Sequence, residues 1–213
     1  MPEHRHLIDE ITFEGVGKRY MFEWVLKEFT YTFIKGNCYG ITGPNGSGKS
    51  TLMKMLSGFS TPSKGQIEFK LAGSKISIGE VFNSVTFAAP YIELIEEMTV
   101  QELMDFHHVL RPFKNYDFMI KALKDLPFKG LVQKRIGELS SGMRQRIKLL
   151  LAIMTDTSVI LLDEPGSNLD EQGKGWFEDL LKSQMSGRIT IIASNEAEDL
   201  KLAQSQINIA DYK

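Results

Sequence analysis

The spacing of hydrophobic residues predicts strands at the start of the chain. Between residues 29 and 33 apolar and polar side chains alternate, which is the pattern of a half-buried strand. The wider region 7–42 reads as strands joined by turns. A helix is expected from residue 49 to about residue 59, and residues 66–89 return to strand. This part of the chain therefore predicts mainly β structure with one helix.

Helical spacing replaces the strand pattern near residue 91. Thr99 and Glu102 have the spacing of a capping box at the start of a helix. Apolar residues then recur at helical intervals over 116–125 and 142–154. We therefore expect a helical subdomain at residues 91–155.

The remaining segments alternate between strand and helix. Segments 158–163 and 188–194 are largely apolar, as in parallel strands covered on both faces, and a helix is predicted at 171–184. The pattern predicts an α/β fold. Its nucleotide-binding core consists of residues 1–90 and 156–213, and the helical subdomain interrupts it.

One glycine-rich segment has the spacing G-x-x-x-x-G-K-[ST] of a loop that binds the phosphates of a nucleoside triphosphate. Glycines let backbone N–H groups point at the phosphates, and the following helix directs its positive end at the same charge. Lys49 is expected to meet the β- and γ-phosphates, and the Ser50 hydroxyl to ligate Mg²⁺. The segment, called the phosphate loop below, reads Gly43-Pro44-Asn45-Gly46-Ser47-Gly48-Lys49-Ser50-Thr51.

Two acidic residues end the apolar strand at 158–163. Asp163 occupies the expected place of the acid that holds Mg²⁺ through water. Glu164 follows, where a carboxylate can orient or deprotonate an attacking water. Acids at strand ends are also common in ordinary turns, and the upstream phosphate loop favours the catalytic interpretation.

A third segment places small residues at the start of a helix. Ser140, Ser141 and Gly142 would expose N–H groups and hydroxyls suited to an anion. The alternative is an ordinary serine cap, and the physics of helix termini alone favours that alternative. Residues 139–146 are called the signature segment below.

With these motifs in this order, the chain resembles the ATP-binding subunits of ABC transporters over essentially its full length. The signature segment is similar to the family's L-S-G-G-Q motif, and Asp170 lies in a segment similar to its D-loop. Tyr20 is where family members carry an aromatic residue that stacks on adenine, and the alternative is a core or edge-strand aromatic. The resemblance implies a P-loop core with a mainly parallel sheet, an N-terminal antiparallel β region and a helical insert.

The resemblance also implies partners. Two such subunits, identical or homologous, would pair head to tail and enclose two ATP between the phosphate loop of one and the signature segment of the other. Separate integral membrane permease subunits would carry the transported molecule. The chain would then be cytoplasmic, held on the inner face of the cell membrane through those subunits.

Two residues that members of this family carry, a glutamine and a histidine, have no equivalent in this sequence. Pro90 stands where the family places a glutamine, and there is no glutamine between Gln66 and Gln101. The histidines, at positions 4, 6, 107 and 108, leave the family's switch histidine without an equivalent. Asn195 is the expected replacement, with an amide able to donate to the γ-phosphate, and the alternative is a loop asparagine with no phosphate role.

Composition narrows the classes of function. The 25 basic and 27 acidic side chains nearly balance, which gives no electrostatic reason for a nucleic-acid partner. The one cysteine, Cys38, is compatible with a reducing compartment. No apolar run approaches the ~18–20 residues that span a bilayer, and residues 1–6 lack the apolar stretch of a secretory signal.

These observations favour an ATP-hydrolysing transporter subunit with Glu164, Lys49 and Asn195 as its catalytic residues. A different class is an ATP-dependent switch with weak or no turnover, which the missing glutamine and histidine favour. A soluble family member acting on DNA or ribosomes is disfavoured by the charge balance and by the lack of coiled-coil arms or a second cassette.

Overall fold

The computed structural model describes residues 8–124, 126 and 130–213. In chain order the elements are β1 (Glu10–Tyr20), β2 (Glu23–Ile34), β3 (Cys38–Thr42), α1 (Lys49–Leu56), β4 (Lys64–Leu71), β5 (Ser74–Lys75), α2 (Ile78–Val81), β6 (Val85–Ala88), α3 (Val100–Leu110), α4 (Tyr116–Lys124), α5 (Ser141–Met154), β7 (Val159–Asp163), α6 (Glu171–Gln184), β8 (Ile189–Ala193) and β9 (Ser205–Asn208). Short 3₁₀ helices lie at Leu131–Gln133, Ile136–Glu138 and Ile209–Tyr212.

The strands form two sheets. The first is antiparallel, with the order β2-β1-β4-β5, and the second is parallel, with the order β6-β7-β8-β3-β9. Every residue of β7 and β8 is buried, which explains their apolar sequences. The carboxyl ends of β3, β7 and β8 therefore lie side by side at one edge of the sheet, where ligands bind in open parallel sheets. The α/β class is confirmed.

The two sheets share one hydrophobic core around α1. Phe13, Phe29 and Phe33 of the antiparallel sheet are fully buried, and the ring of Phe13 packs edge-on against the other two. Leu52 and Leu56 of α1 belong to the same cluster, together with residues of β3, β7 and β8. This packing fixes the start of α1 against the edge of the parallel sheet.

A second core joins the helices to the other face of the parallel sheet. Its buried helical residues come from α3, α4, α5 and α6, and Ile160, Leu162 and Ile192 of β7 and β8 belong to the same cluster. Between β6 and β7 the described residues form helices and turns but no named strand. The boundary of a separate subdomain at 91–155 stays a prediction.

Two expectations about the elements need correction, and one strand was not expected. The helix after the phosphate loop ends at Leu56 rather than near residue 59, because Gly58 turns the chain with a positive φ of 78°. The region 66–89 is not strand throughout, since it contains α2. Strand β9 was missed because its residues, half of them exposed, lack a clear apolar pattern. Among the described residues, no helix is both long and apolar enough to cross a membrane.

Candidate nucleotide site

The phosphate loop connects β3 to α1, as its sequence predicts. Gly43 has a φ of 140°, and a Cβ there would lie 2.8 Å from the Ser47 hydroxyl and 2.9 Å from Ile209. Gly48 has a φ of 108°, and a Cβ there would lie 2.9 Å from a methyl group of Val25. Only glycine fits both places without strain. The loop therefore brings its backbone close to the site that the start of α1 faces.

Lys49 is buried within this loop. Its side chain is 7% exposed, and its Nζ donates a hydrogen bond of 2.6 Å to the Gly43 carbonyl. The bond holds the ammonium group inside the curve of the loop. The cation is thus held in the lining of the cavity beside the loop, and its contact with phosphates stays a prediction.

Asp163 lies at the end of β7, next to the start of α1. Both of its carboxylate oxygens are buried, and neither meets the geometry of a hydrogen bond. Burial raises the pKa of Asp163, while the Ser50 hydroxyl and then the charge of Lys49 lower it. A buried carboxylate without a hydrogen-bond partner, beside a hydroxyl, is a donor set that fits a hard cation such as Mg²⁺. The predicted metal ligands therefore lie together.

Glu164 follows Asp163 in a strained backbone conformation. Its φ is 48°, which is rare for a residue other than glycine, and its amide donates to the Ala193 carbonyl at 2.7 Å. Its Oε1 lies 3.8 Å from Lys49 Nζ. Burial raises the pKa of Glu164, the charge of Lys49 opposes the shift, and Asp163 adds to it. A carboxylate with a raised pKa is better suited to accept a proton near neutral pH.

Asn195 reaches the phosphate loop from the turn after β8. Its Nδ2 donates to Asn45 Oδ1 at 3.4 Å, and both side chains are exposed. The amide therefore lies at the mouth of the loop, as a γ-phosphate ligand would. The structure brings Asn195 to the loop, while its role toward a phosphate stays a prediction.

Tyr20 lines the same cavity as the phosphate loop and Glu164, which has a volume of about 510 Å³. Its neighbours in the sequence do not compete for this place. Phe22 is 94% exposed at the tip of the β1–β2 hairpin, and Trp24 packs under the Arg19 guanidinium, 5.5 Å from its ring centre. Of these three aromatic residues only Tyr20 lines the cavity, and its contact with a base stays a prediction.

The signature segment lies outside this cavity. Ser140 accepts a hydrogen bond from the Met143 amide and caps α5, so the ordinary capping role exists. Ser141 lines another cavity, and a Cβ on Gly142 would lie 2.7 Å from the Asn168 carbonyl. These residues share no site with the phosphate loop of their own chain. Any contact with a nucleotide would need a second chain.

Asp170 is also engaged away from the phosphate loop. Its Oδ1 accepts from the Gly173 amide at 2.8 Å, which caps α6, and from Arg146 Nη2 at 2.6 Å. The two bonds tie the start of α6 to α5. Within one chain Asp170 therefore has a structural role.

Pro90 and Tyr91 follow β6, where the family places its glutamine. The Pro90 carbonyl accepts from Lys148 Nζ at 3.3 Å. The Tyr91 ring lies under Lys54 Nζ at 4.8 Å, and burial followed by the charge of Asp163 raises its pKa to about 12. Tyr91 is therefore an aromatic residue near the acidic strand end that the motifs did not indicate.

Ser194 and Asp199 are two further residues that sequence reasoning missed. Ser194 is fully buried at the end of β8, and its Oγ lies 3.4 Å from Glu164 Oε2 and 2.6 Å from Asp199 Oδ2. Neither residue belongs to a motif with a spacing that we recognise. The approach of Ser194 to the end of β7 was implied only by the pairing of two parallel strands.

A parallel sheet with a phosphate loop after one strand and paired acids after another defines a P-loop nucleotide-binding protein. A family model described as "ABC transporter" matches residues 26–167, which include the phosphate loop, the signature segment and the two acids. The chain belongs to the ABC transporter family. This confirms the family that the motifs indicated.

Individual relatives agree with this assignment. The chain is 31% identical over 208 residues to a Nod factor export ATP-binding protein I of Rhizobium johnstonii, covering 89% of this chain and 63% of that protein. It is 29% identical over 178 residues to the Bacillus subtilis ABC transporter ATP-binding protein YybJ, covering 83% and 81%. The chain thus spans less than two thirds of the first relative's length.

Solved structures are similar over almost the whole chain. An ABC transporter ATP-binding protein from Pyrococcus furiosus superposes with a TM-score of 0.81 at 27% identity, covering 96% of this chain and 99% of that one. A bacterial Atm1-family ABC exporter with ATP bound also has a TM-score of 0.81, at 19% identity, covering 95% and 38%. The second likeness shows the shared fold alone. The P-loop fold expected from the sequence is confirmed.

Proposed function

We propose that the chain binds and hydrolyses ATP with Mg²⁺ and drives an ABC transporter through separate membrane subunits. One observation supports this most strongly. The phosphate loop, Asp163, Glu164 and Asn195 come from three separate parts of the sequence and meet at one edge of the parallel sheet. The experiment that tests the proposal is phosphate release from ATP by the purified chain, beside its Glu164→Gln variant.

Ser50 and Asp163 are the residues that would hold Mg²⁺. The bound ion would neutralise charge on the β- and γ-phosphates. The burial of both Asp163 oxygens without hydrogen-bond partners supports this role, because such a charge is costly to bury uncompensated.

The other side chains would bind and orient the nucleotide. Lys49 would exchange its bond to the Gly43 carbonyl for the phosphate oxygens, and Tyr20 would pack against the base. Glu164 would orient a water molecule and accept its proton at a carboxylate oxygen. Asn195 would donate its amide hydrogen to the γ-phosphate.

A second copy of the chain, or a homologous subunit, would complete the site. Helix α5 has 14 residues, and its first turn presents Ser141 and Gly142 at the surface beside the Ser140 cap. The positive end of such a helix suits the phosphate of a nucleotide bound by the partner chain. Because Ser140, Ser141 and Gly142 lie outside the cavity of their own chain, pairing is the arrangement that uses them. Asp170, on the same side of α5, would lie at the same contact.

A membrane subunit would dock in an apolar groove between β6 and α3. The groove has a volume of about 280 Å³, and its lining includes Phe87, Ile92, Leu94, Phe106 and Leu110. Leu110 is 64% exposed, so the groove is open to a partner. We assign a cytoplasmic segment of the permease to it because the family works with membrane subunits and the groove adjoins the segment after Pro90. The chain would thereby be held at the inner face of the membrane.

Charge on this groove should release the chain from the membrane. In cells that also make the membrane subunit, Leu110→Glu should lower the membrane-bound fraction about tenfold, because a buried carboxylate would oppose the apolar contact. Val109→Glu is the matched control, since Val109 is the neighbouring residue, is 81% exposed and does not line the groove. Equal retention of Leu110→Glu and wild type would contradict the docking site, as would equal release of both variants.

A weakly hydrolysing switch is the second candidate function. The observation that favours it is the replacement of two family residues, with Pro90 in place of a glutamine and Asn195 in place of a histidine. Proline has neither an amide side chain nor a backbone N–H. The contact between Asn195 and Asn45 supports turnover instead, because an amide still reaches the phosphate loop.

Asn195 variants separate these two functions. Asn195→Ala should lower kcat about tenfold and change ATP affinity less than about twofold, because the amide acts mainly on charge that develops in the transition state. Asn195→His should raise kcat, since imidazole can hold the same oxygen with partial positive charge. Asn83→Ala, at an exposed turn near α2, is the matched control. If both Asn195 variants equal wild type in kcat and affinity, Asn195 is only a loop residue.

A further inference from the structure

Asp199 is a buried carboxylate that the proposed chemistry does not use. It is 4% exposed, and its Oδ2 accepts hydrogen bonds from Ser194 Oγ at 2.6 Å and from the Gly166 amide at 3.3 Å. Gly166 lies in the turn after β7, and Ser194 lies in the turn after β8. One oxygen of Asp199 therefore joins the two turns that carry Glu164 and Asn195.

The contact with Gly166 leaves no room for another residue. A Cβ built on Gly166 would overlap Asp199 Oδ1. The turn that begins at Glu164 thus packs directly on the Asp199 carboxylate. Movement of either group would move the other.

Ser194 lies between two carboxylates. Its Oγ is fully buried, lies 3.4 Å from Glu164 Oε2 and accepts a hydrogen bond of 3.1 Å from the Glu196 amide. A hydroxyl has a single proton, and the shorter bond makes Asp199 its main acceptor, with Glu164 Oε2 as the weaker second acceptor of the same proton. Asp199 therefore fixes the oxygen against which the Glu164 carboxylate rests.

The other contacts of Glu164 do not fix its side chain as closely. Its amide bonds to the Ala193 carbonyl, and its Oε1 is 3.8 Å from Lys49 Nζ, longer than a hydrogen bond. About a third of the side chain is exposed to the cavity. A contact with a neighbouring side chain is therefore needed to limit the rotamers of Glu164.

We propose that Ser194 and Asp199 are positioning residues that hold Glu164 toward the phosphate loop. Asp199 orders the Ser194 hydroxyl and the Gly166 amide, and Ser194 in turn limits the position of Glu164 Oε2. The inference rests on the proposed ATP hydrolysis, in which Glu164 accepts a proton from water. The contacts from Asp199 through Ser194 to Glu164, called the link below, connect the turn after β8 to the catalytic carboxylate.

The test uses two side-chain truncations and one variant that should restore the lost hydrogen bonds. Ser194→Ala removes the hydroxyl, and Asp199→Ala removes the acceptor. Asp199→Asn should rescue, because both hydrogen bonds end on one oxygen and an amide oxygen in that place can accept both. Ser84→Ala is the matched control, since Ser84 is buried, its hydroxyl has no hydrogen-bond partner and it precedes β6 at the other end of the sheet.

We expect a loss of turnover without a loss of binding. Ser194→Ala and Asp199→Ala should each lower kcat about tenfold while the Kd for ATP with Mg²⁺ changes less than about twofold. The double variant should be no slower than the slower single one, because both act through one link. Asp199→Asn should retain kcat within about threefold, and Ser84→Ala should equal wild type.

Hydrogen exchange provides a readout other than activity. The Gly166 amide should exchange faster in Asp199→Ala than in wild type and recover protection in Asp199→Asn. Should Asp199→Ala fail to fold, Ser194→Ala and Asp199→Asn still decide the question.

Two results would overturn the inference. The first is a wild-type kcat in Ser194→Ala. The second is an Asp199→Asn variant whose kcat falls about tenfold or more below wild type, which would mean that charge rather than position matters. The proposed function fails separately, if wild type releases no phosphate or if Glu164→Gln is fully active. A working wild type with an inactive Glu164→Gln and an unaffected Ser194→Ala would retain the function and remove only this link.

Discussion

Glu164→Gln is expected to lower the rate of ATP hydrolysis at least about hundredfold while ATP still binds. Glutamine has nearly the shape of glutamate and keeps an oxygen that can rest against Ser194. It cannot accept the proton of the attacking water, so the loss appears in kcat and not in nucleotide affinity. Phosphate release measures the first quantity, and calorimetry with ATP and Mg²⁺ measures the second.

The same variant should accumulate as an ATP-bound pair of chains. If hydrolysis separates the pair, blocking it leaves two nucleotides enclosed between the phosphate loop of one chain and the signature segment of the other. Size-exclusion chromatography should then show a dimer with ATP and a monomer with ADP. A dimer with both nucleotides, or with neither, would contradict this use of ATP.

A second acidic residue provides the control for charge. Glu178 lies on α6, away from the cavity, with its side chain 40% exposed and 3.9 Å from Lys201. Glu178→Gln removes the same charge and should leave turnover unchanged, because exposed pairs of this kind contribute little. Full activity in Glu164→Gln would show that another group activates the water.

The phosphate loop and the acidic pair could be predicted from the sequence because the residues that act together in each motif are close in the chain. The phosphate loop needs its glycines, Lys49 and Ser50 within nine positions, and the helix that follows completes the anion site. Asp163 and Glu164 were predicted because two acids end an apolar strand in a chain that also carries a phosphate loop. In each case the signal and the site occupy the same short segment.

Contacts between distant segments could not be predicted from local motifs. Asn195 and Asn45 are separated by 150 positions, and their contact depends on β8 lying beside β3. Asp199 shows the limit more clearly, because nothing in the sequence distinguishes this buried acid from its exposed neighbours Glu196 and Glu198. Its role depends on Gly166, 33 positions earlier, which only the folded chain brings near.

The absent glutamine illustrates a different limit. The sequence shows that Pro90 replaces it, but not that Tyr91 would approach Asp163 with its ring under Lys54. Aromatic residues near strand ends are common, so no spacing rule selects this one. The role of the signature segment is also hard to predict from one sequence, because the nucleotide it is expected to contact would be bound by another chain.

Lys49→Ala is expected to weaken ATP binding about hundredfold, which corresponds to ~2.7 kcal/mol. Lys49 is the buried cation of the phosphate loop, held by the Gly43 carbonyl at the place where the phosphates would lie. Charge-assisted hydrogen bonds of this kind contribute about 1.5–3 kcal/mol each, and their loss is not replaced by water inside the loop. Calorimetry with ATP and Mg²⁺ gives the affinity directly.

Lys54→Ala distinguishes this specific loss from a general loss of positive charge. Lys54 lies on the same helix, and its ammonium group faces the Tyr91 ring rather than the phosphate loop. Its removal should change ATP affinity less than about threefold, because Lys54 lies outside the loop and its charge is the smallest of the influences on the pKa of Asp163. Equal weakening by the two variants would mean that α1 attracts the nucleotide only through its overall charge. Unchanged affinity in Lys49→Ala would remove the phosphate loop as the binding site, and the proposed function with it.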